Sequence, residues 1–198
     1  MVSEGSAAQV LLKKGYPFIM VQNQPLGNKK NEGLTYVLQN YQFDYLLEIG
    51  SDDLITNDYM DLLEPYLRAG EQQLCADRLY FIDVQTSITA YYNIEKIFGL
   101  GRFIHYDALH LVTAFEPFWN PDGVRGMDTY SWHNLLKCGI GLTKVEVNQP
   151  CLLDIKSEVN INPIDPFTPC YLTVDELLQY FPERKLLKAL CKKHLVIH

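Results

Sequence analysis

Two adjacent aspartates follow a short apolar run in this chain. The run at residues 45–49 is followed by a glycine and a serine, and Asp52 and Asp53 come directly after them. Carboxylate oxygens are the ligands that hard divalent ions such as Mg²⁺ and Mn²⁺ prefer. An ion bound here would neutralise a diphosphate as it leaves, which is Lewis-acid catalysis. The pattern therefore predicts a metal site at Asp52 and Asp53.

Strand geometry determines whether both aspartates can bind the same ion. Adjacent residues of a strand point to opposite faces, so both acids reach one ion only if the chain turns there. Gly50 and Ser51 favour such a turn. The competing interpretation is that the two acids, together with Asp58, only stabilise the N-terminus of the following helix.

Another acid, Asp128, lies at the predicted start of a later helix, after Gly126 and Met127. In one interpretation Asp128 is an N-cap and has only a structural role. In the other, Asp128 faces a cleft and acts as a general base that takes the proton from an attacking hydroxyl.

A polar segment at residues 23–34 joins a predicted strand to a predicted helix and contains Lys29 and Lys30. The exposed amides of a helix N-terminus, with lysines nearby, predict an anion site. The alternative is an ordinary polar loop with two solvated lysines.

A glycine-rich turn, Gly99-Leu100-Gly101-Arg102, has the features of a substrate contact. Its backbone is free enough to approach a ligand closely, and Arg102 offers a guanidinium to a phosphate or carboxylate. The alternative is a plain turn.

The elements that must position these residues follow from apolar periodicity and turn signals. Helices are predicted at residues 6–14, 30–39, 56–67, 106–114, 128–137 and 172–194, and strands at 17–21, 45–49, 79–84, 90–94 and 143–148. Thr173 and Glu176 match a capping box, and Pro182 is expected to break the last helix. Such alternation predicts α/β layers around a mainly parallel sheet, with antiparallel strands within 79–94.

Composition limits the classes of protein to consider. The 198 residues carry a formal charge of −7, which argues against a general nucleic-acid binder because phosphate binding needs a basic face. No apolar run approaches the ~20 residues of a membrane helix. The five cysteines are scattered without a CxxC pair, which favours reduced thiols. A soluble cytoplasmic protein without a membrane span is therefore expected.

Taken in order, the motifs resemble those of GT-A-type nucleotide-sugar glycosyltransferases, particularly the family 2-like group. The resemblance covers roughly residues 17–153, and three motifs carry it: Pro25-Leu26-Gly27 with Lys29, Asn31 and Gly33; Ser51-Asp52-Asp53; and Gly126-Met127-Asp128. It implies a three-layer, Rossmann-like sheet flanked by helices, which forms a domain at residues 1–170 with a C-terminal helical segment at 171–198.

The resemblance also implies a function, which is the transfer of a sugar from a nucleoside diphosphate donor to a glycan or other hydroxyl acceptor. The roles it implies are Mg²⁺ or Mn²⁺ binding by Asp52 and Asp53, donor placement by Lys29, Lys30, Asn31 and Asp52, base catalysis by Asp128, and an acceptor side formed by Gly99, Gly101 and Arg102.

Two departures from the family pattern affect these expectations. The motif reads Ser51-Asp52-Asp53, so a serine occupies a usually acidic position. The sequence also enters a helix without the opening strands of the family, so an N-terminally shortened sheet is expected, with its edge covered by another copy or a partner chain. The alternative function is a non-catalytic assembly or sugar-binding protein that has lost the nucleotide-base pocket.

Overall fold

A computed structural model describes residues 5–93, 99–157 and 172–195. The helices are α1 Gly5–Lys14, α2 Leu26–Asn40, α3 Asn57–Arg68, α4 Tyr106–Thr113, α5 Met127–Lys137, α6 Val174–Leu178 and α7 Arg184–Leu195. The strands are β1 Tyr45–Leu47, β2 Asp53–Ile55, β3 Gln73–Ala76, β4 Arg78–Asp83, β5 Thr89–Asn93, β6 Phe103–His105, β7 Thr143–Val145 and β8 Leu152–Lys156. None of the helices in these ranges combines the length and apolar character that crossing a membrane requires.

The strands form two four-stranded sheets, with the orders β1-β6-β3-β7 and β2-β8-β4-β5. The pairs β3–β7 and β4–β8 are parallel, whereas β2–β8 and β4–β5 are antiparallel. The α/β class is thus confirmed, but a mainly parallel sheet is not. The antiparallel pairing expected within 79–94 is confirmed, because β4 and β5 are joined by a tight turn in which Asp83 Oδ1 accepts bonds from the amides of Gln85 and Thr86.

Most predicted helices are confirmed. One strand prediction, at 17–21, is wrong, and two others, at 45–49 and 143–148, are too long, since β7 ends at Val145. The segment 17–21 is not a strand, because only Met20 makes an isolated bridge. The run at 45–49 forms a strand only as far as Leu47, and β1 lies at the edge of its sheet. Four short strands (β2, β3, β6 and β8) were not predicted. The end of the predicted strand at 90–94 falls on residue 94, outside the described residues.

The chain divides into two compact units, the first formed by residues 1–46 and 104–141 and the second by residues 47–103 and 142–198. The predicted division after residue 170 lies in the segment 158–171, outside the described residues, and it stays a prediction.

The core of the first unit is built by α2, α4, α5 and the segment between the last two. Its buried side chains are Leu34, Ile104, Ala108, Leu109, Val112, Phe118, Trp119, Met127, Leu135 and Ile140. Gly27 allows α2 to pack closely here, since a Cβ at this position would lie 1.7 Å from the carbonyl oxygen of Asn120. This packing fixes α2 and the start of α5, which carry the candidate residues of this unit.

The second unit has its main cluster between the sheet strands β4 and β8 and the helices α6 and α7. Its members are Tyr80, Ile82, Val84, Leu153, Leu177, Leu178, Phe181, Leu187 and Cys191. The predicted capping box of Thr173 and Glu176 is confirmed at the start of α6. The predicted break is confirmed too, because α6 ends at Leu178 and α7 begins at Arg184, on either side of Pro182.

Candidate functional site

The acidic turn of the second unit is held in place by backbone contacts. The Gly50 amide donates to Asp53 Oδ2 at 2.5 Å, and the Ile155 amide donates to the Asp52 carbonyl at 3.0 Å. A Cβ at Gly50 would lie 2.6 Å from the same Asp53 oxygen, so a larger residue there would displace the Asp53 carboxylate. The chain therefore does turn at the two acids, and Asp53 begins β2 rather than ending β1.

Asp53 is paired with another acid that sequence reasoning missed. In the antiparallel register of β2 and β8, Asp53 lies directly opposite Asp154. Lys156 Nζ donates to Asp154 Oδ2 at 2.7 Å, and both of these side chains are largely buried. The Lys156 ammonium also lies 5.6 Å from the centre of the Phe81 ring. The strands thus bring two carboxylates and one ammonium together beside Asp52.

Burial and nearby negative charges raise the pKa of the Asp53 carboxyl. The pKa of Asp53 is raised to about 7, chiefly by burial and also by the charges of Asp154 and Asp52, although the Gly50 hydrogen bond and Lys156 act in the opposite direction. Burial also raises the pKa of Asp154, although the hydrogen bond from Lys156 lowers it. Because repulsion between the acids contributes to the raised pKa, a cation bound between them would relieve it.

A metal at this turn would need ligands beyond the protein. In the part of the chain that the structure describes, no three His, Cys, Asp or Glu side chains converge with the geometry to hold an ion. Mg²⁺ nevertheless is commonly held by only one or two carboxylates, with waters and substrate phosphates completing its octahedron. The residues at the turn fit that mode of binding and not a metal cage made entirely of protein ligands.

Asp128 lies in the first unit, within the first turn of α5. The N-cap position is occupied by Gly126 in a left-handed conformation (φ 67°), so the interpretation of Asp128 as the N-cap is wrong. Lys30 Nζ lies 3.9 Å from Asp128 Oδ1, and the two side chains are 25% and 35% exposed. The same ammonium lies 4.9 Å from the centre of the buried Trp119 ring. Asp128 is therefore accessible and has a cation beside it.

The N-terminus of α2 does not have the exposed amides that were predicted. The Gly27 amide donates to the Gly123 carbonyl at 2.9 Å, and the Asn28 amide donates to the Pro121 carbonyl at 3.1 Å. These amides hold the segment before α5 against α2. An anion would have to displace protein carbonyls in order to bind there, because the amides are already satisfied.

Lys29 and Asn31 also have protein contacts. Lys29 Nζ donates to Asn23 Oδ1 at 3.1 Å. Asn31 Nδ2 donates to the Trp119 carbonyl at 2.7 Å, and Asn31 Oδ1 accepts from the Trp119 amide at 3.0 Å. This pair of bonds uses both ends of the Asn31 amide and fixes the backbone of the residue on which Lys30 rests.

The turn at residues 99–102 is packed inside the second unit. Arg102 is fully buried, and its Nε donates to Glu48 Oε2 at 2.5 Å. Gly101 has φ +75°, and a Cβ there would lie 2.7 Å from Leu152 Cδ1. The buried Tyr59 hydroxyl donates to the Gly101 carbonyl at 2.7 Å and accepts from the Ala76 amide at 3.1 Å. Gly99 closes the turn by accepting from the Arg102 amide at 3.2 Å.

The candidate residues thus fall into two groups. The first unit holds Lys29, Lys30, Asn31 and Asp128, and the second holds Asp52, Asp53, Gly99, Gly101 and Arg102. Asp154 and Lys156 were missed because β8 was not recognised, although the alternation of apolar and charged residues at 153–156 was a usable signal.

A scan against protein-family models and a search of curated proteins both return no match to this chain.

Proposed function

We propose that this protein is a metal-dependent glycosyltransferase that moves a sugar from a nucleoside diphosphate donor to a hydroxyl acceptor. The observation that carries the proposal is the pairing of Asp53 with Asp154 beside Asp52. It lies at the Ser51-Asp52-Asp53 turn, which resembles the metal-binding DxD motif of GT-A-type glycosyltransferases. Perturbed carboxyl groups of this kind cluster at functional sites. A GT-A-like arrangement of the sheets is part of the same proposal.

In this proposal Asp53 and Asp52 hold Mg²⁺ or Mn²⁺, and Asp154 contributes negative charge to the site. When bound by these residues, such an ion would supply Lewis-acid stabilisation to the diphosphate leaving group. The Gly50 amide keeps the Asp53 carboxylate oriented. Since the pKa of Asp53 is raised to about 7, binding of the ion competes with a proton and is stronger above neutral pH.

Asp128 is the proposed general base. The Asp128 side chain is 35% exposed, so an acceptor hydroxyl can approach it, and the Lys30 ammonium lies 3.9 Å away. Trp119 and Asn31 then have supporting roles, because the ring holds Lys30 and the amide of Asn31 fixes the Trp119 backbone. Asp128 would take the acceptor proton as the new glycosidic bond forms.

One set of contacts favours the second candidate, a non-catalytic sugar-binding or assembly protein. The groups assigned to the donor and acceptor already bind protein atoms, because the α2 amides donate to loop carbonyls and Arg102 is buried against Glu48. In the catalytic proposal Arg102 and the neighbouring glycines therefore shape the acceptor side by packing. In the non-catalytic alternative these contacts are the whole role of the residues.

A thermal-shift experiment tests the catalytic proposal. We expect Mn²⁺ together with UDP or GDP to raise the melting temperature, because a ligand that binds only the native state stabilises it. Asp53→Asn should abolish this shift, whereas Asp61→Asn, which removes an exposed acid of α3 in the same unit, should leave it intact. Absence of a shift with every common nucleoside diphosphate would favour the non-catalytic candidate.

The base assignment needs its own variant. Asp128→Asn should reduce turnover by about 10²–10⁴-fold, the usual contribution of a general base. The same variant should retain the thermal shift with Mn²⁺ and nucleotide. Loss of the shift as well would mean that Asp128 has a structural role.

A further inference from the structure

The outer face of α2 carries an open groove that the proposed function does not use. Two neighbouring hollows, of about 330 and 410 Å³, share Asn31 and Thr35. The first extends along α2 to Gln39, and the second extends to the segment 113–118 that follows α4. All the lining residues belong to the first unit. We call this surface the α2 groove.

Helical spacing explains why these residues share a surface. Asn28, Glu32, Thr35 and Gln39 recur at intervals of three or four, so they lie along one side of α2. Leu34, which lines the second hollow, is buried and also belongs to the core cluster of this unit. A polar helix face is ordinarily a solvated surface, so spacing alone does not make this groove a binding site.

Aromatic side chains distinguish this face from an ordinary one. Tyr36, in the first hollow, is 39% exposed, and Phe115, in the second, is 79% exposed. Tyr36 is supported by an edge-on contact with Tyr41, with the ring centres 6.1 Å apart. An exposed phenylalanine beside a groove leaves an apolar face in water without a covering partner in the described part of this unit.

The charges of the residues that line the α2 groove favour a neutral ligand over an anionic one. No lysine or arginine is among the described residues that line either hollow, whereas Glu32 and Glu116 carboxylates are. A phosphate or another anion would meet repulsion from Glu32, whereas the charge of Glu116 is offset by Lys137. The remaining polar side chains carry amides (Asn28, Asn31 and Gln39) and hydroxyls (Thr35, Tyr36 and Thr113), which donate and accept hydrogen bonds without a net charge.

Several of these polar groups are already oriented. Glu32 Oε1 accepts from Asn28 Nδ2 at 2.7 Å, and Glu116 Oε1 accepts from Lys137 Nζ at 3.0 Å. Asn31 is fixed by its two bonds to the Trp119 backbone. A groove with pre-oriented polar groups loses less conformational freedom on binding.

We propose that the α2 groove binds a neutral oligosaccharide. A sugar ring has an apolar C–H face and a rim of hydroxyls, which matches aromatic faces beside amide, hydroxyl and carboxylate groups. Sugar rings would lie on Tyr36 and Phe115, with hydroxyls bonded to Thr35, Gln39 and Glu32. Only the identification of this sugar as the acceptor glycan rests on the proposed function; the binding itself does not.

Amide-resolved NMR titration of the full chain tests this proposal, without metal or nucleotide. The probes are maltotetraose, cellotetraose, mannotetraose and chitotetraose at millimolar concentration, with tetragalacturonic acid as the anionic control. We expect saturable shifts from at least one neutral probe, confined to residues 28–39 and 113–118, and weaker or no binding of the anionic control. A failed metal–nucleotide thermal shift would leave this expectation unchanged, so the two proposals fail separately.

Variants complete the experiment. Phe115→Ala should weaken binding by roughly fivefold to tenfold, because an aromatic contact is lost. Gln39→Ala is a second variant of the groove, and both variants alter exposed side chains. Tyr16→Ala removes a tyrosine that is 59% exposed and lies outside the groove, and it should leave binding unchanged. The proposal is overturned if no neutral probe gives saturable shifts, if the shifts map elsewhere, or if Tyr16→Ala weakens binding as much as Phe115→Ala.

Discussion

The candidate acids of the two units lie in opposite electrostatic environments. In the first unit, Asp128 is a third exposed and has the Lys30 ammonium 3.9 Å away. In the second unit, Asp53 and Asp154 are opposite each other on paired strands, and Lys156 is the cation that bonds to one of them. In the first arrangement a cation offsets the charge of a partly exposed carboxylate, whereas the second holds excess negative charge that a divalent ion would neutralise.

The second unit also contains a buried ion pair, Arg102 with Glu48, and it supplies the largest expected stability effect. Arg102→Met should destabilise the protein by about 3–5 kcal/mol, because it leaves Glu48 as an uncompensated buried charge. Urea unfolding followed by circular dichroism measures the loss. The double variant Arg102→Met with Glu48→Leu should recover much of it, and a single variant as stable as wild type would show that the pair is not structural.

The acid pair gives the stability a pH dependence of defined sign. The pKa of Asp53 is about 7 in the folded protein against 3.8 as its ordinary value, so the folded state binds a proton that the unfolded state releases. Stability should therefore fall as pH rises from about 4 to 7, by roughly 2–4 kcal/mol from this group. Urea unfolding in metal-free buffer at several pH values measures the slope.

Asp53→Asn is the matched variant for this slope. It should flatten the decline and make the protein more stable than wild type at pH values above 7, where the ionised pair is most costly. Asp61→Asn, on the exposed side of α3, should keep the wild-type slope. An unchanged slope in Asp53→Asn would mean that the titration of Asp53 does not set the pH dependence of stability.

The pair in the first unit should contribute the least to stability. Lys30→Met keeps the aliphatic stem on Trp119 but removes the charge beside Asp128, and partly exposed pairs contribute about 0.2–1 kcal/mol. We expect a small fall in melting temperature that high salt removes. Lys29→Met, the neighbouring position, is the control. A loss as large as that of Arg102→Met would contradict the contrast between the two units.

How far the sequence predicted these features depends on how local each one is. Helix α3, helix α5 and the capping box of Thr173 with Glu176 follow from periodicity and caps within a few residues, and they were predicted. The partner of Asp53 was not predicted. Strands β2 and β8 have three and five residues, and their pairing joins distant parts of the chain, so no local pattern places Asp154 opposite Asp53.

The candidate residues follow the same rule. The turn at Gly50 was expected because glycine and serine favour one, and the structure has it. The hydrogen-bond partners of Arg102 and Asn31 could not be predicted from the sequence. The Glu48 carboxylate and the Trp119 backbone are brought next to them by tertiary packing. The residue types therefore predicted where candidate functional residues lie in the sequence. The residues that contact them could be identified only from the folded structure.

The most direct test of the metal site is paramagnetic broadening by Mn²⁺ at a pH above 7. We predict that substoichiometric Mn²⁺ broadens the amide signals of residues 50–55 and 152–156 first, and that Asp53→Asn abolishes this effect. Lowering the pH well below 7 should weaken it, because Asp53 is then protonated. If these signals stay sharp at millimolar Mn²⁺, or broaden equally in Asp53→Asn, the paired acids do not form the metal site.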